Sequence, residues 1–395
     1  MPVGYLVTVV LVGCAILVAL APPRRPPGVA TLGFLWSVAV TELPFLAFAY
    51  LLVTTLLAFG AGDVDSLGGW VTFGGAVLVA CGVAVIAWRG ARARPVVEDA
   101  LREGLGAGWR AAPSAAAAGG TRKPNGPRRR RWGRILLGPF PVRGPGVRRV
   151  KNIQYGDAGR RNLLDVYHGR SRPTGGPILI HLHGGRYRGG RKSTQSLPLL
   201  HRLAGHGWVC VSANYRLRPD AGLREHLVDA KKVITWAREH GPEYGADPSR
   251  IFVAGSSAGA HLMALAALTA GDPAHQPGFE AADTSAAAVV CLGGYYGDYD
   301  AGPDWRAPSS PLGYLRPDAP PFFVAHGDRD TVVAVESARD FAARLRAVSA
   351  SPVVYAELPG SQHGFDLFHS PRFEAVVDGI ESFAAWVSSR ASTQA

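Results

Sequence analysis

The chain has 395 residues, enough for one large core and a further region, and its 42 Lys and Arg against 30 Asp and Glu leave a net charge of +12. No aromatic-interleaved sheet, zinc finger or helix-turn-helix pattern accompanies the basic excess, so no nucleic-acid partner is expected. The four cysteines lack the spacing of a metal site or disulfide framework and read as small buried apolar residues.

Apolar residues crowd the first ninety positions. Val3 to Ala21, Val29 to Phe59 and Leu67 to Trp88 are each near or above the ~20 residues of a bilayer-spanning helix, which predicts about three transmembrane helices over residues 1–90. Ala19-Leu20-Ala21 resembles a signal-peptide cleavage site. No Lys or Arg precedes the apolar core, however, and Pro22-Pro23 follows directly, so the first helix is expected to be retained. The middle stretch is too long for one perpendicular span. It either begins as an interfacial piece and crosses after Pro44 or crosses kinked, with Glu42 a snorkelling or interfacial group. Arg24 and Arg25 in the first loop, Asp63 and Asp65 in the second, and Arg89, Arg92 and Arg94 after the third span place the N-terminus outside. The multi-pass region would then hold the C-terminal part at the cell membrane on the cytoplasmic side.

Residues 91–149 shift to Ala, Gly, Pro and Arg, with Ala111 to Gly120 of low complexity and Arg128 to Arg131 an unbroken basic run, and read as a linker. Immediately beside a membrane helix, this charge suits anionic lipid headgroups, with Trp132 and Ile135-Leu136-Leu137 able to lie on the interface or on the catalytic domain.

Over residues 150–395 strand-like and helix-like runs alternate. Strands are predicted at Asn152 to Tyr155, Asn162 to Tyr167, Pro177 to Leu182, Trp208 to Ala213, Arg250 to Ala254, Ala287 to Leu292, Pro321 to Ala325 and Val353 to Leu358. Helices are predicted at Ser193 to Gly205, Leu223 to His240, Ala258 to Ala270, Val335 to Val348 and Arg372 to Ser389. This pattern implies an α/β domain, a mostly parallel eight-stranded sheet with helices on both faces, preceded by the all-α transmembrane region.

Within it, Gly255-Ser256-Ser257-Ala258-Gly259 joins a strand to a helix in the order a nucleophile elbow requires. The flanking glycines permit a turn too tight for Cβ atoms, which lifts the Ser257 hydroxyl off the sheet edge. An oxyanion hole needs backbone amides in a turn without obstruction, and Gly184 and Gly185 after the third strand, with Ala258 after the nucleophile, qualify. The base must follow the last strand, where His363 lies. The acid must end the preceding one, where Asp328 and Asp330 both lie. Tyr295, Tyr296, Tyr299 and Trp305 are candidates for a substrate lip, with packing as the competing role. Tyr215 and Arg216 read as structural, with Asp229 a partner for the guanidinium.

From Asn152 onward the chain resembles an α/β-hydrolase of the hormone-sensitive-lipase-like carboxylesterase branch, in particular actinobacterial esterases with an N-terminal membrane region. The resemblance rests on the elbow and on Tyr155-Gly156-Asp157, Leu164-Asp165-Val166-Tyr167, His183-Gly184-Gly185, Asn214-Tyr215-Arg216, Tyr244-Gly245-Ala246-Asp247-Pro248-Ser249-Arg250, His326-Gly327-Asp328 and His363-Gly364-Phe365. It implies Ser257 as nucleophile, His363 as base and Asp330 as acid, since the family acid lies three residues after the glycine of the His-Gly pair with a valine following, here Val333. The sequence departs from the family at Arg186, which replaces the third glycine of the oxyanion turn and, with Tyr187, would put bulk and positive charge at the pocket mouth, the competing reading being that Arg186 points to solvent or to the bilayer surface. Ester or lipid hydrolysis through a Ser-His-Asp triad, without metal or organic cofactor, is the expected function. The same fold admits an amidase, a hydrolase of a small soluble metabolite, or a silent membrane-anchored scaffold.

Overall fold

Strands buried on both faces must be largely apolar, and Ile178 to Ile180, Val209 to Val211 and Val289 to Leu292 meet that requirement. In the computed structural model, which describes residues 3–111, 132–140, 146–299 and 307–394, they are the centre of one eight-stranded sheet. The strands are β1 (Val147–Gln154), β2 (Leu163–Gly169), β3 (Gly176–Leu182), β4 (Val209–Ala213), β5 (Ala246–Ser256), β6 (Ala288–Leu292), β7 (Phe322–Gly327) and β8 (Val353–Leu358). Their order is β1-β2-β4-β3-β5-β6-β7-β8. β2 runs antiparallel to β1 and β4, and the remaining pairs are parallel. The carboxyl ends of β3, β5, β6, β7 and β8 therefore open on one edge, where α/β sheets place their chemistry.

Before the sheet come α1 (Val3–Leu20), α2 (Pro27–Glu42), α3 (Pro44–Gly60), α4 (Leu67–Ala91), α5 (Ala93–Leu105) and α6 (Trp132–Leu137). Within it come α7 (Leu197–Gly205), α8 (Leu223–His240), α9 (Ala258–Leu268), α10 (Val335–Val348) and α11 (Pro371–Gln394). Two apolar layers cover the sheet. One centres on α8 and α9 with Leu227, Ile234 and Leu262, the other on α7 and α11 with Leu200, Phe373 and Phe383.

The N-terminal helices pack in two levels. Tyr5, Val9, Leu51, Ala58, Val64 and Ala76 join the start of α1 to the turn between α3 and α4; Ile16, Ala19, Val83 and Ile86 form a second cluster nearer the sheet domain. α1 and the continuous run Leu67–Leu105 are long and apolar enough to cross a membrane, and their outward faces, with Val7, Leu17, Val71 and Leu78, are exposed, as are Leu56 and Leu57 on α3. The middle stretch is not one helix. Proline can begin a helix but not continue one, and at Leu43-Pro44 α2 and α3 meet at 84°.

Two sequence expectations are corrected here. The linker 91–149 does not begin at residue 91: α5 buries Val97, Ala100, Leu101 and Leu105 in the same core as Val354, Phe373 and Ile380, so this part belongs to the packed domain. Arg94 pairs with Asp378 on α11 at 2.7 Å, and Arg202 on α7 holds Asp378, Glu374 and Glu381. Nor is Glu42 a snorkelling group. It is buried, accepts a hydrogen bond from Ser370 Oγ at 2.8 Å and forms an ion pair with Arg372, whose own side chain is almost fully enclosed. Cys14 and Cys81 are exposed on the helices, unlike the buried Cys210 and Cys291. Arg128 to Arg131 and Trp305 fall outside the described residues.

Candidate active site

The turn between β5 and α9 is as tight as its glycines require. A Cβ on Gly255 would lie 2.2 Å from the carbonyl carbon of Gly259, and one on Gly259 would lie 2.1 Å from Leu182 O. Ser257, with φ 54° and ψ −118°, is in a backbone region that costs a non-glycine residue on the order of 1–3 kcal/mol. Its amide donates to Leu292 O at 2.8 Å, which ties the bend to the end of β6. Ser257 is largely buried, so the hydroxyl meets a shaped site and not open water.

His363 lies in the loop after β8 with Nε2 3.0 Å from Ser257 Oγ and Nδ1 2.6 Å from Asp330 Oδ2. Asp330 ends the turn after β7, and its second oxygen accepts from the amides of Val332 and Val333, both at 2.8 Å. His326 Nε2, which donates to Val333 O, is 3.3 Å from Asp330 Oδ2. Burial would raise the Asp330 carboxyl, but the adjoining His363 and His326 outweigh it and hold the group well below the usual carboxylate range. For His363 burial pulls the imidazole down, yet the Asp330 charge and hydrogen bond leave it above the ordinary histidine value. Asp328 points elsewhere: its carboxyl is raised by burial and makes no bond to His363.

The turn after β3 gives a mixed outcome for the expected oxyanion donors. Gly184 lies against the elbow, where a Cβ would sit 2.7 Å from Ser257 Cβ, but its amide already donates to Gln195 Oε1 at 2.5 Å. That corrects the expectation that Gly184 is a free donor. Among the described residues, the amides of Gly185 and Ala258 have no protein acceptor.

Of the residues expected at the substrate pocket, Tyr296 from the lip and Tyr187 from the pocket mouth are corrected. Tyr296 is fully buried and stacked on Phe341 at 4.2 Å, in the core beneath α10. Tyr187 is also buried, shares a 2.6 Å hydrogen bond with His261 Nδ1 and stacks on His226. Tyr295 is 38% exposed and donates to Asp298 O at 2.9 Å, and Arg186 is exposed with φ 54°. Arg216 engages Asp229 through Nη2 at 2.8 Å, and Tyr215 donates to His183 O at 2.9 Å, both bracing the β3 and β4 ends.

Sequence reasoning missed the buried polar layer beneath the nucleophile. Asp366 accepts from Ser256 Oγ at 2.5 Å and Ser196 Oγ at 2.7 Å, and His181 Nε2 lies 3.0 Å from Ser256 Oγ. His181 is buried beside His183, and burial lowers it to about 3, so it is neutral at working pH. Ser256 precedes the nucleophile and Asp366 follows the base by three residues, but nothing in their local sequence marks them as partners.

Comparison with known proteins shows the family to which the fold belongs. The BD-FAE family matches residues 164–300. Esterase LipQ of Mycobacterium tuberculosis is 39% identical over 291 residues, covering 66% of this chain and 68% of that protein. LipM of the same organism, named "Probable carboxylic ester hydrolase", is 38% identical over 342 residues and covers 79% of this chain and 77% of its own, more than the segment from Val147 onward contains. Among solved structures, butyrate-bound esterase Est2 of Thermogutta terrifontis shares the fold with a TM-score of 0.52 and 23% identity, covering 60% of this chain and 93% of that one. This chain belongs to the α/β-hydrolase carboxylesterases of the hormone-sensitive-lipase-like branch and is a carboxylic ester hydrolase.

Proposed function

We propose that the chain is a membrane-anchored serine esterase or lipase, acting through Ser257, His363 and Asp330 on esters of lipid or moderately apolar acyl chains at the cytoplasmic leaflet. The observation that carries this reading is the unbroken run Asp330 to His363 to Ser257 at 2.6 and 3.0 Å, seated on a strained elbow. Neutral His363, held by Asp330 with Nδ1–H as donor, takes the Ser257 proton at Nε2 as Oγ attacks the ester carbonyl. The amides of Gly185 and Ala258 are the donors proposed for the oxyanion, and Gly184 contributes steric access instead. The imidazolium returns its proton to the leaving alkoxide, and water repeats the cycle on the acyl-Ser257 ester to release the acid.

The membrane part of the proposal draws on the exposed apolar faces of α1, α3 and α4. The start of α1 and the α3–α4 turn lie at one end of the helices and the sheet domain lies at the other. We assign residues 1–90 to the membrane region, the catalytic domain to 150–395, and α5 to the catalytic domain's packed surface. The basic stretch between them is a contact for anionic headgroups. Hydrolysis of p-nitrophenyl esters from acetyl to long acyl chains by wild type and Ser257→Ala is the test. Activity lost in the variant, with a chain-length optimum beyond acetyl, is expected. Undiminished turnover by the variant refutes the triad.

A further inference from the structure

Both loops that carry the base and the acid end on the N-terminal helices. On the acid side, Thr331 Oγ1 donates to Ala30 O at 3.1 Å, and Arg329 Nη1 to Leu20 O at 2.9 Å. On the base side, Ser370 and Arg372 hold Glu42 at the far end of α2. Between these ties the Phe34 ring stands edge-on to the His363 imidazole, with centroids 5.8 Å apart and planes at 76°. The next residue, Gly364, has φ +73°, and a Cβ there would reach the Phe34 ring at 3.4 Å, so the aromatic is seated against the backbone as well as the imidazole.

α2 is two-faced. Ala30, Gly33, Ser37 and Thr41 are buried on the side that carries Phe34, while Val29, Leu32, Leu35 and Trp36 are exposed on the other. A helix that served only as part of an anchor would have no reason to place an aromatic ring on the catalytic histidine. The groups facing that histidine are Ser257 from the elbow, Asp330 from the loop after β7, Asp366 from its own loop and Arg186 from the turn after β3. α2 adds no charge to this set, because Glu42 is engaged by Arg372 and Ser370.

We infer that α2 is a wall of the catalytic centre and that Phe34 is a positioning residue, holding the His363 ring in line between Asp330 and Ser257 and shielding its edge from water. The inference rests on His363 being the base, as proposed above. It makes the anchor and the active site one unit: displacing α2 uncovers the imidazole and loosens both loops together.

The test uses the full chain in detergent micelles with a soluble p-nitrophenyl ester, comparing wild type, Phe34→Ala, Phe34→Leu and Leu35→Ala, with Ser257→Ala as reference. Phe34→Ala is expected to lower kcat about tenfold with KM within about threefold, as loss of alignment does. Its acid limb should move to higher pH by roughly half a unit, since burial lowers a histidine and added water relieves that. Phe34→Leu should recover most of both effects, and Leu35→Ala, an apolar truncation on the outward face, should change neither. Wild-type kcat and midpoint in Phe34→Ala overturn the inference. So does a loss of activity that follows only the fraction of enzyme labelled by a fluorophosphonate, with the midpoint unmoved. Activity surviving in Ser257→Ala would instead overturn the triad beneath it.

Discussion

The ion pair between Glu42 and Arg372 joins the corner of α2 and α3 to the start of α11, and both side chains are essentially enclosed. Arg372 also donates to Pro359 O at 3.2 Å and Thr41 O at 3.4 Å, so its guanidinium is the knot between two chain segments more than three hundred residues apart. Removing one partner leaves an uncompensated buried charge, at about 3–5 kcal/mol, whereas removing both with apolar groups is often close to neutral. At ~2–3 °C per kcal/mol, Glu42→Gln or Arg372→Met should lower the midpoint of thermal inactivation by roughly 10 °C. The double variant Glu42→Leu with Arg372→Met should recover at least half of that. Residual esterase activity after graded heating of the detergent-solubilised full chain provides the readout for all four corners of the cycle. Additive losses in the double variant, or single variants indistinguishable from wild type, would refute the claim that this pair couples the helices to the catalytic domain.

Further outcomes follow from the site. Asp330→Asn should reduce kcat/KM by roughly 10⁴, the scale of losing the acid that fixes the base tautomer, while Asp328→Asn stays within about threefold; steady-state kinetics with a soluble ester decide between them. His363 acts as base only when neutral, and its imidazole is held above the ordinary histidine value, so kcat/KM should fall as pH drops through a midpoint above ~6.5. The same shifts set stability with opposite signs. The Asp330 term is present above the unfolded carboxylate value and lost as pH falls toward the depressed folded one, while the His363 term is present below the unfolded histidine value and lost as pH rises through the folded one. Gly184→Ala places a methyl 2.7 Å from Ser257 Cβ and should abolish turnover by displacing the nucleophile, with secondary structure by circular dichroism unchanged.

The sheet was legible because parallel strands covered on both faces must be continuous apolar runs, and each strand of the structure overlaps one read from the sequence. The elbow was legible for steric reasons that glycine alone satisfies. The start of the linker was misread because its Ala, Gly and Arg content masks a helical stripe, Val97, Ala100, Leu101 and Leu105, whose spacing was there to be found. Tyr187 and Tyr296 were misplaced because an aromatic in a loop after a strand can turn inward as readily as outward, and burial is decided by α8 and α10, which local sequence does not show. Glu42 and Phe34 were beyond reach. Their partners, Arg372 and His363, lie over three hundred residues away, and only the 84° corner at Pro44 brings α2 onto them.

Mass mapping of the adduct left by a fluorophosphonate on the full-length protein tests Ser257 as the nucleophile. One stoichiometric adduct is expected, on the peptide carrying Ser257, formed more slowly in His363→Ala and absent from Ser257→Ala. A stoichiometric adduct elsewhere, or none while the enzyme still hydrolyses esters, would contradict it.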